Sequence, residues 1–233
     1  IQLLGQIVNH YQAPDDPACD FAGLLAAVND VAGVERIRFA SPHPRHVTPR
    51  LVDAIATLPK VCKHLHLPVQ SGSTRMLTAM RRRHTRDDYL ALVDQLRSKT
   101  PGVQLSTDML VGFPGETESD HADTLSLAER VGFHSMFSFS YSERPGTLAA
   151  KRLRDDVPDQ VKSRRLNELQ NLQKGIQQAI HDGQVGRTFE VLIDSISRRR
   201  DTEVSGRTTG NTVVNLPGTP EQLGIGPHAA SLN

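Results

Sequence analysis

Tryptophan is absent from the 233 residues, and aromatic side chains make up only 4 % of them. Any core must therefore be built mainly from aliphatic side chains, within a hydrophobic fraction of 37 %. Cysteine occurs only twice, as Cys19 and Cys62, with no C-x-x-C pair. That argues against a disulfide framework and a cysteine metal site, and it fits a reducing cytoplasm. Strong charge of either sign is also missing: the formal net charge is +1, which alone selects neither nucleic acid nor membrane. No run approaches the roughly 20 apolar residues of a membrane span. The chain opens at Ile1, inside a strand-like run, which predicts that further sequence precedes it.

What is present is alternation. Residues 2–8, 35–40, 63–69, 103–111 and 135–141 read as strands, and residues 21–31, 48–58, 73–82, 85–99 and 117–131 as helices. Thr48 is placed to cap a helix with Pro49 at its first position. Strand–helix alternation of this kind predicts α/β structure with parallel strands, covering helices and ligands at the C-terminal strand ends. Beyond residue 150 the pattern changes. A long helix follows Pro158 to about residue 181, with Leu166, Leu169, Ile176 and Ile180 near helical spacing. From Arg187 the text is β-like, with Gly and Asn turns, and predicts a small β-rich unit. The expected division is residues 1–150, a linking helix over 151–185, and a β-rich unit over 186–233.

The expected strand ends carry unusual polar text: "LLGQIVNHY", "FASPHP", "HLPVQSGS", "STDMLVGFPGETESD" and "FSFSYSERPGT". Each can be a simple turn, because Gly, Pro, Ser and Asp punctuate chains. Five on consecutive parallel strands would converge on one mouth. "GFPGE" lacks the G-x-x-x-x-G-K-[ST] pattern of a phosphate loop. Glu116 and Glu118 are expected to complement a helix N-terminus. His64 and His66 share a strand face but have no third ligand at a telling spacing, so no metal site is expected. The stretch "RRRHTRDDY" reads either as a solvated helix face or, beside a ligand mouth, as a binding element. Between residues 151 and 207 there are 12 Lys or Arg against 9 Asp or Glu, and Arg198, Arg199 and Arg200 form a basic turn. Such a turn either tracks a phosphate backbone or is merely solvated.

In fixed order, "LLGQIVNHY", "HLPVQSGS", "AMRRRHT", "DMLVGFPGET" and "YSERPGT" resemble the motifs of radical S-adenosylmethionine methylthiotransferases, and "SGRTTGNTVVNLPGTPEQLG" resembles the TRAM RNA-binding domain that closes them. The resemblance covers about residues 1–224. Pro145 and the tail favour the branch that modifies tRNA. It implies a partial TIM-type radical barrel lacking its first strand, then a TRAM-like domain that is incomplete because "IGPHAASLN" leaves the pattern.

The implied reaction adds a methylthio group to C2 of an N6-dimethylallyladenosine beside the anticodon. It uses S-adenosylmethionine and two [4Fe–4S] clusters, with iron–sulfur delivery and electron-donor proteins as further partners. By resemblance, Gln70 and Ser71 contact the cofactor's ribose or amino-acid part, and Asp108 faces the same mouth. Leu110, Val111 and Gly112 form an adenine floor with free backbone amides. Gln6 and Asn9 match motif positions on an earlier strand. Arg82, His84 and Arg144 are implied to hold a carboxylate or RNA, and Arg198, Arg199, Arg200, Arg207 and Asn211 to contact RNA. The chain departs from the family at its cluster cysteines, C-x3-C-x2-C and three more, which would lie before Ile1. Ile7 and Pro42 stand where the family commonly has Asn and Ser. By itself the chain is expected to be inactive. Two alternatives stay open: a non-catalytic RNA-binding remnant, and a ribosomal-protein methylthiotransferase.

Overall fold

The structure, a computed structural model, describes residues 1–198 and 200–223. Five strands run in parallel and in chain order. β1 (Gln2–Leu3) pairs with β2 (Arg38–Phe39), and β3 (His64–His66), β4 (Gln104–Val111) and β5 (Ser135–Ser140) form a second sheet. An isolated parallel bridge, Ile37 to Val61, links the two sheets. Between the strands run α1 (Phe21–Asn29), α2 (Pro49–Thr57), α3 (Thr74–Ala79), α4 (Arg86–Lys99) and α5 (Glu118–Val131). This is a partial β/α barrel.

Side chains alternate between the two faces of each strand. Leu65, Leu105, Met109 and Val111 are buried against the helices, in one core with Leu51, Ile55, Tyr89, Leu96, Leu127 and Phe133. Each fully buried aliphatic side chain of this kind contributes about 1.5–3 kcal/mol. The register sets His66 beside Ser106, Asp108 beside Phe137 and Leu110 beside Phe139. The opposite, concave face therefore carries His64, His66, Ser106, Asp108, Leu110, Phe137 and Phe139.

Helix starts follow their caps. Thr48 accepts from the Leu51 amide with Pro49 behind it. Thr85 with Asp88, and Thr117 with Asp120, close reciprocal capping boxes. The strands are shorter than the sequence suggests. Residues 4–7 leave the ladder, and Val8–His10 is a 3-10 turn. β3 stops at His66 because Pro68 has no amide hydrogen and the Val69 amide donates to the Thr107 hydroxyl instead (3.0 Å).

Past β5 come a short helix that the sequence reading omits, α6 (Leu148–Arg152), and the long α7 (Asp159–Asp182). α7 is part of the barrel wall rather than a free linker. Leu169 is buried in the core, and the Gln173 side-chain amide donates to the Phe133 carbonyl at 2.8 Å. β6 (Val191–Ile196), β7 (Glu203–Thr208) and β8 (Val213–Pro217) form an antiparallel meander. The meander is tied to β2 and its flank: Arg36 donates to the Glu190 carboxylate and the Arg207 carbonyl, and Arg38 to the Thr208 carbonyl.

Candidate functional site

At the C-terminal ends of β3 and β4 a cavity of about 630 Å³ opens. Leu110, Phe113, Met80, Leu148 and Leu153 give it apolar walls, and Gln70, Arg81 and Arg82 bring polar groups. Two of its lining residues, Gln70 and Arg81, both non-glycine, have left-handed backbone with φ of 80° and 58°. Left-handed backbone at such residues concentrates at functional sites. Gln70 is held by an exchange across the gap in β3: its amide donates to the Asp108 carbonyl (2.9 Å) and its carbonyl accepts from the Leu110 amide (2.8 Å).

Of the expected cofactor residues, Gln70 and Leu110 meet in this cavity. Asp108 lies on the same face of β4, with His66 Nε2 3.5 Å from its carboxylate. Ser106 bridges the two histidines, 3.0 Å from His64 Nε2 and 2.9 Å from His66 Nδ1.

The remaining members are placed elsewhere. Val111 is fully buried on the helix side, since residues one apart on a strand face opposite ways. The amides expected to be free are engaged: Leu110 donates to Gln70, and Gly112 donates to the Glu116 carboxylate at 2.7 Å. Ser71 turns into the interior, where its hydroxyl meets Thr124 (3.3 Å) and accepts from the Ser73 amide. Gly72 lies so close to α5 that a Cβ would fall 2.3 Å from the Asp123 carbonyl oxygen. The "QSG" turn thus spends its serine on docking α5. Asn9 is a buried clamp, bonded through its side chain to both the carbonyl and the amide of His43. Gln6 is exposed and outside the cavity.

Arg82 folds inward and donates to the Pro68 carbonyl at 3.1 Å, leaving its buried Nε without a partner. Burial lowers its pKa, partly offset by the Asp108 carboxylate. His84 contacts the Arg82 carbonyl through Nδ1 (3.1 Å) and stands 5.9 Å from the His43 ring and 6.3 Å from the Tyr89 ring, centroid to centroid. Burial lowers the pKa of His84 too, and burial with the neighbouring Arg82 charge brings His43 down to about 4. Both shifts favour the neutral ring.

Glu116 is not a helix cap, contrary to expectation; Thr117 holds that position. Its carboxylate is buried against Arg165 of α7. Burial pushes the Glu116 carboxyl upward, opposed by the Gly112 amide and Arg165. Glu118 bonds Arg164 and Arg165, which hold its carboxyl well below the usual range, at about 2.

In the β6–β8 unit, Arg198 and Arg200 are exposed, and Arg200 pairs with Glu203 at 3.0 Å. Arg199 lies outside the described residues. Asn211 shapes the β7–β8 turn with φ 72° and accepts from Arg207 at 3.5 Å. Arg144 is exposed beyond β5. Sequence reasoning missed Phe113, Met80, Arg165 and Arg36; their partners are distant in the chain, and no local spacing marks them.

The residues present do not suit an iron–sulfur cluster. Cys62 is buried, and burial pushes its thiol up, away from the thiolate that a cluster needs. Cys19 is the only other thiol, and among the described residues no group of three or more His, Cys, Asp or Glu is arranged to hold a metal. S-adenosylmethionine suits the cavity better: apolar walls for a purine, a side-chain amide, and an orphaned buried guanidinium nitrogen.

Residues 183–226 match the TRAM domain. The chain is 47 % identical over 229 residues to a tRNA-2-methylthio-N(6)-dimethylallyladenosine synthase from Nitrosospira multiformis, covering 96 % of this chain and 48 % of that protein. It is 48 % identical over 227 residues to the protein of the same name from Bordetella pertussis, covering 96 % and 51 %. The chain thus spans about half the length of these curated relatives. Among solved structures it is similar to the coproporphyrinogen III oxidase HemN from Escherichia coli, a radical SAM enzyme, with a TM-score of 0.51 and 15 % identity over 86 % of this chain and 56 % of that one; this supports the fold alone. Residues 7–128, more than half of the chain, match the Radical SAM superfamily, and with the parallel barrel and its strand-end cavity in place, the chain belongs to that superfamily.

Proposed function

We propose that this chain is the cofactor-binding and RNA-holding part of a tRNA methylthiotransferase, which adds a methylthio group to C2 of N6-dimethylallyladenosine next to the anticodon. The observation that carries the proposal is the union, in one chain, of a radical SAM mouth with a TRAM unit clamped to the barrel through Arg36 and Arg38. The high identity to relatives of that name supports it.

In this reading Leu110, Phe113 and Met80 pack against the adenine of S-adenosylmethionine. The Gln70 amide bonds its ribose or amino-acid part. Arg82, with an unpartnered Nε, takes the carboxylate through a charge-assisted bond. Asp108 faces the substrate base, with His66 and Ser106 fixing its side of the mouth. When bound, S-adenosylmethionine supplies the methyl group and the radical. The ligands of the two [4Fe–4S] clusters come from cysteines outside these 233 residues. The partners are tRNA through its anticodon stem-loop, iron–sulfur delivery proteins and an electron donor. The place of action is the cytoplasm; no described helix is long and apolar enough to cross a membrane.

The test is nucleoside mass spectrometry of tRNA from a strain deleted for the gene. Loss of the methylthio nucleoside with accumulation of N6-dimethylallyladenosine is expected. Unchanged tRNA would overturn the assignment and move attention to methylthio groups on ribosomal protein.

A further inference from the structure

A second cavity, of about 380 Å³, lies on the far side of the turn that walls the mouth. It is lined by Pro44, Arg45, Arg83, His84, Asp88 and Tyr89, among others. Residues 81–84 divide the two spaces: Arg81 and Arg82 line the mouth, and Arg83 and His84 line the second groove. This division depends on strain. With Arg81 and Arg83 both left-handed, the arginines on either side of Arg82 are exposed while Arg82 alone turns inward.

Two features of the groove go unused by the fold. The first is charge. Arg45 and Arg83 are exposed, and neither makes an ion pair among the described residues. The acid on the groove wall, Asp88, already accepts from the Thr85 amide at 2.8 Å in the α4 capping box, where the Thr85 hydroxyl accepts from the Asp88 amide. The second is the half-buried His84 ring, which lines the groove and whose Nε2 has no hydrogen-bond partner among the described residues. Tyr89, the other ring on the groove wall, is fully buried in the core. Free guanidinium forks beside an imidazole are chemistry that holds a phosphate and the nucleotide attached to it.

We propose that this groove is a second RNA contact on the barrel, in which Arg45 and Arg83 hold a backbone phosphate next to the nucleotide that enters the mouth, and the His84 ring packs beside the neighbouring nucleotide. The proposal rests on the tRNA reading above and extends it. RNA is held at two separate places, the TRAM unit and this groove, and the 81–84 turn sets the distance between the reacting base and the phosphate beside it. Arg82, besides its part in the mouth, anchors the turn through its bond to the Pro68 carbonyl.

Fluorescence anisotropy of a labelled RNA stem-loop with the full chain, over a series of salt concentrations, tests the idea. The variants are the double R45A, R83A and the single R83G. R83G removes the guanidinium while relieving a left-handed backbone, so a loss of binding there cannot be put down to unfolding. For the double variant the dissociation constant is expected to rise roughly tenfold, and the slope of log K against log salt to become shallower by about 0.7–0.9 for each phosphate contact removed. Unchanged affinity and slope in both variants, while a TRAM variant such as R200A weakens binding, would overturn the groove and leave the tRNA reading intact. Failure of the wild-type chain to bind the RNA at all would overturn both.

Discussion

The Glu116 carboxylate meets the Arg165 guanidinium at 2.8 Å, with the two side chains 0 % and 4 % exposed. The same carboxylate accepts from the Gly112 amide, so one buried pair ties the loop after β4 to α7. Gly112 has φ 72°, and a Cβ there would run into the Lys162 side chain. Replacing Arg165 by Ala strands a buried carboxylate and should cost about 3–5 kcal/mol. The double replacement R165M, E116Q should recover most of that loss, because the buried charge goes with its partner. Urea unfolding of both variants checks this; equal losses would mean that packing, not charge, sets the cost.

Gln70 separates stability from binding. Its φ of 80° is one a glycine adopts freely. Q70G should therefore leave the melting temperature unchanged or raise it, the gain being at most about 1 kcal/mol once glycine's entropy is set against the relief. The same variant loses the side-chain amide and should bind S-adenosylmethionine less tightly by calorimetry. A variant that binds as well as wild type would remove Gln70 from the cofactor site.

How far could these features be read in advance? Helix starts were legible where a cap announces itself, as Thr48 with Pro49 does; at α5 the carboxylates drew the expectation to Glu116 and Glu118, although Thr117 is the N-cap. Strand ends were not, because an alternating run continues past the last ladder bond, as at Pro68. The mouth was half legible. Strand-end position pointed to the mouth and the family resemblance to Gln70 and Leu110 within it, while the period of two could have turned Val111 outward once Asp108 was taken to face inward. Ser71 reads like a ligand contact, but its hydroxyl is committed to Thr124, 53 positions away. Arg165 and Arg36 find partners 49 and 154 positions off, and no pattern within a window reports such pairs.

Two half-buried histidines, His64 and His43, predict acid sensitivity. Burial holds His64 at about 3, and burial with nearby cations holds His43 at about 4, against an ordinary 6.5. The unfolded chain therefore binds protons that the folded chain refuses between those values and 6.5. Stability is complete above about pH 6.5 and falls as pH drops, with a slope near 1.4 kcal/mol per pH unit for His64 once the unfolded ring is protonated. H64Q should flatten the stability profile between about pH 4.5 and 6.5, above the range where ordinary carboxylates titrate. An unchanged slope by chemical denaturation would show that His64 does not control this window.

The clamp between barrel and meander predicts an asymmetry between its two charged partners. The Arg36 side chain is 8 % exposed, while Glu190 is 85 % exposed at 3.0 Å from it. The exposed carboxylate is worth little, as surface pairs usually contribute about 0–1 kcal/mol. The bond from Arg36 to the Arg207 carbonyl is sheltered and charge-assisted, a class worth about 1.5–3 kcal/mol. E190A should therefore leave the meander nearly untouched. R36A should release the β7 end and its Asn211 turn, and hydrogen exchange of amides in Glu203–Thr208 should quicken while amides in α4 and α5 keep their protection. If E190A and R36A accelerate exchange equally, the ion pair rather than the carbonyl bond holds the unit in place. The TRAM surface would then be set against the barrel by a contact that salt can screen.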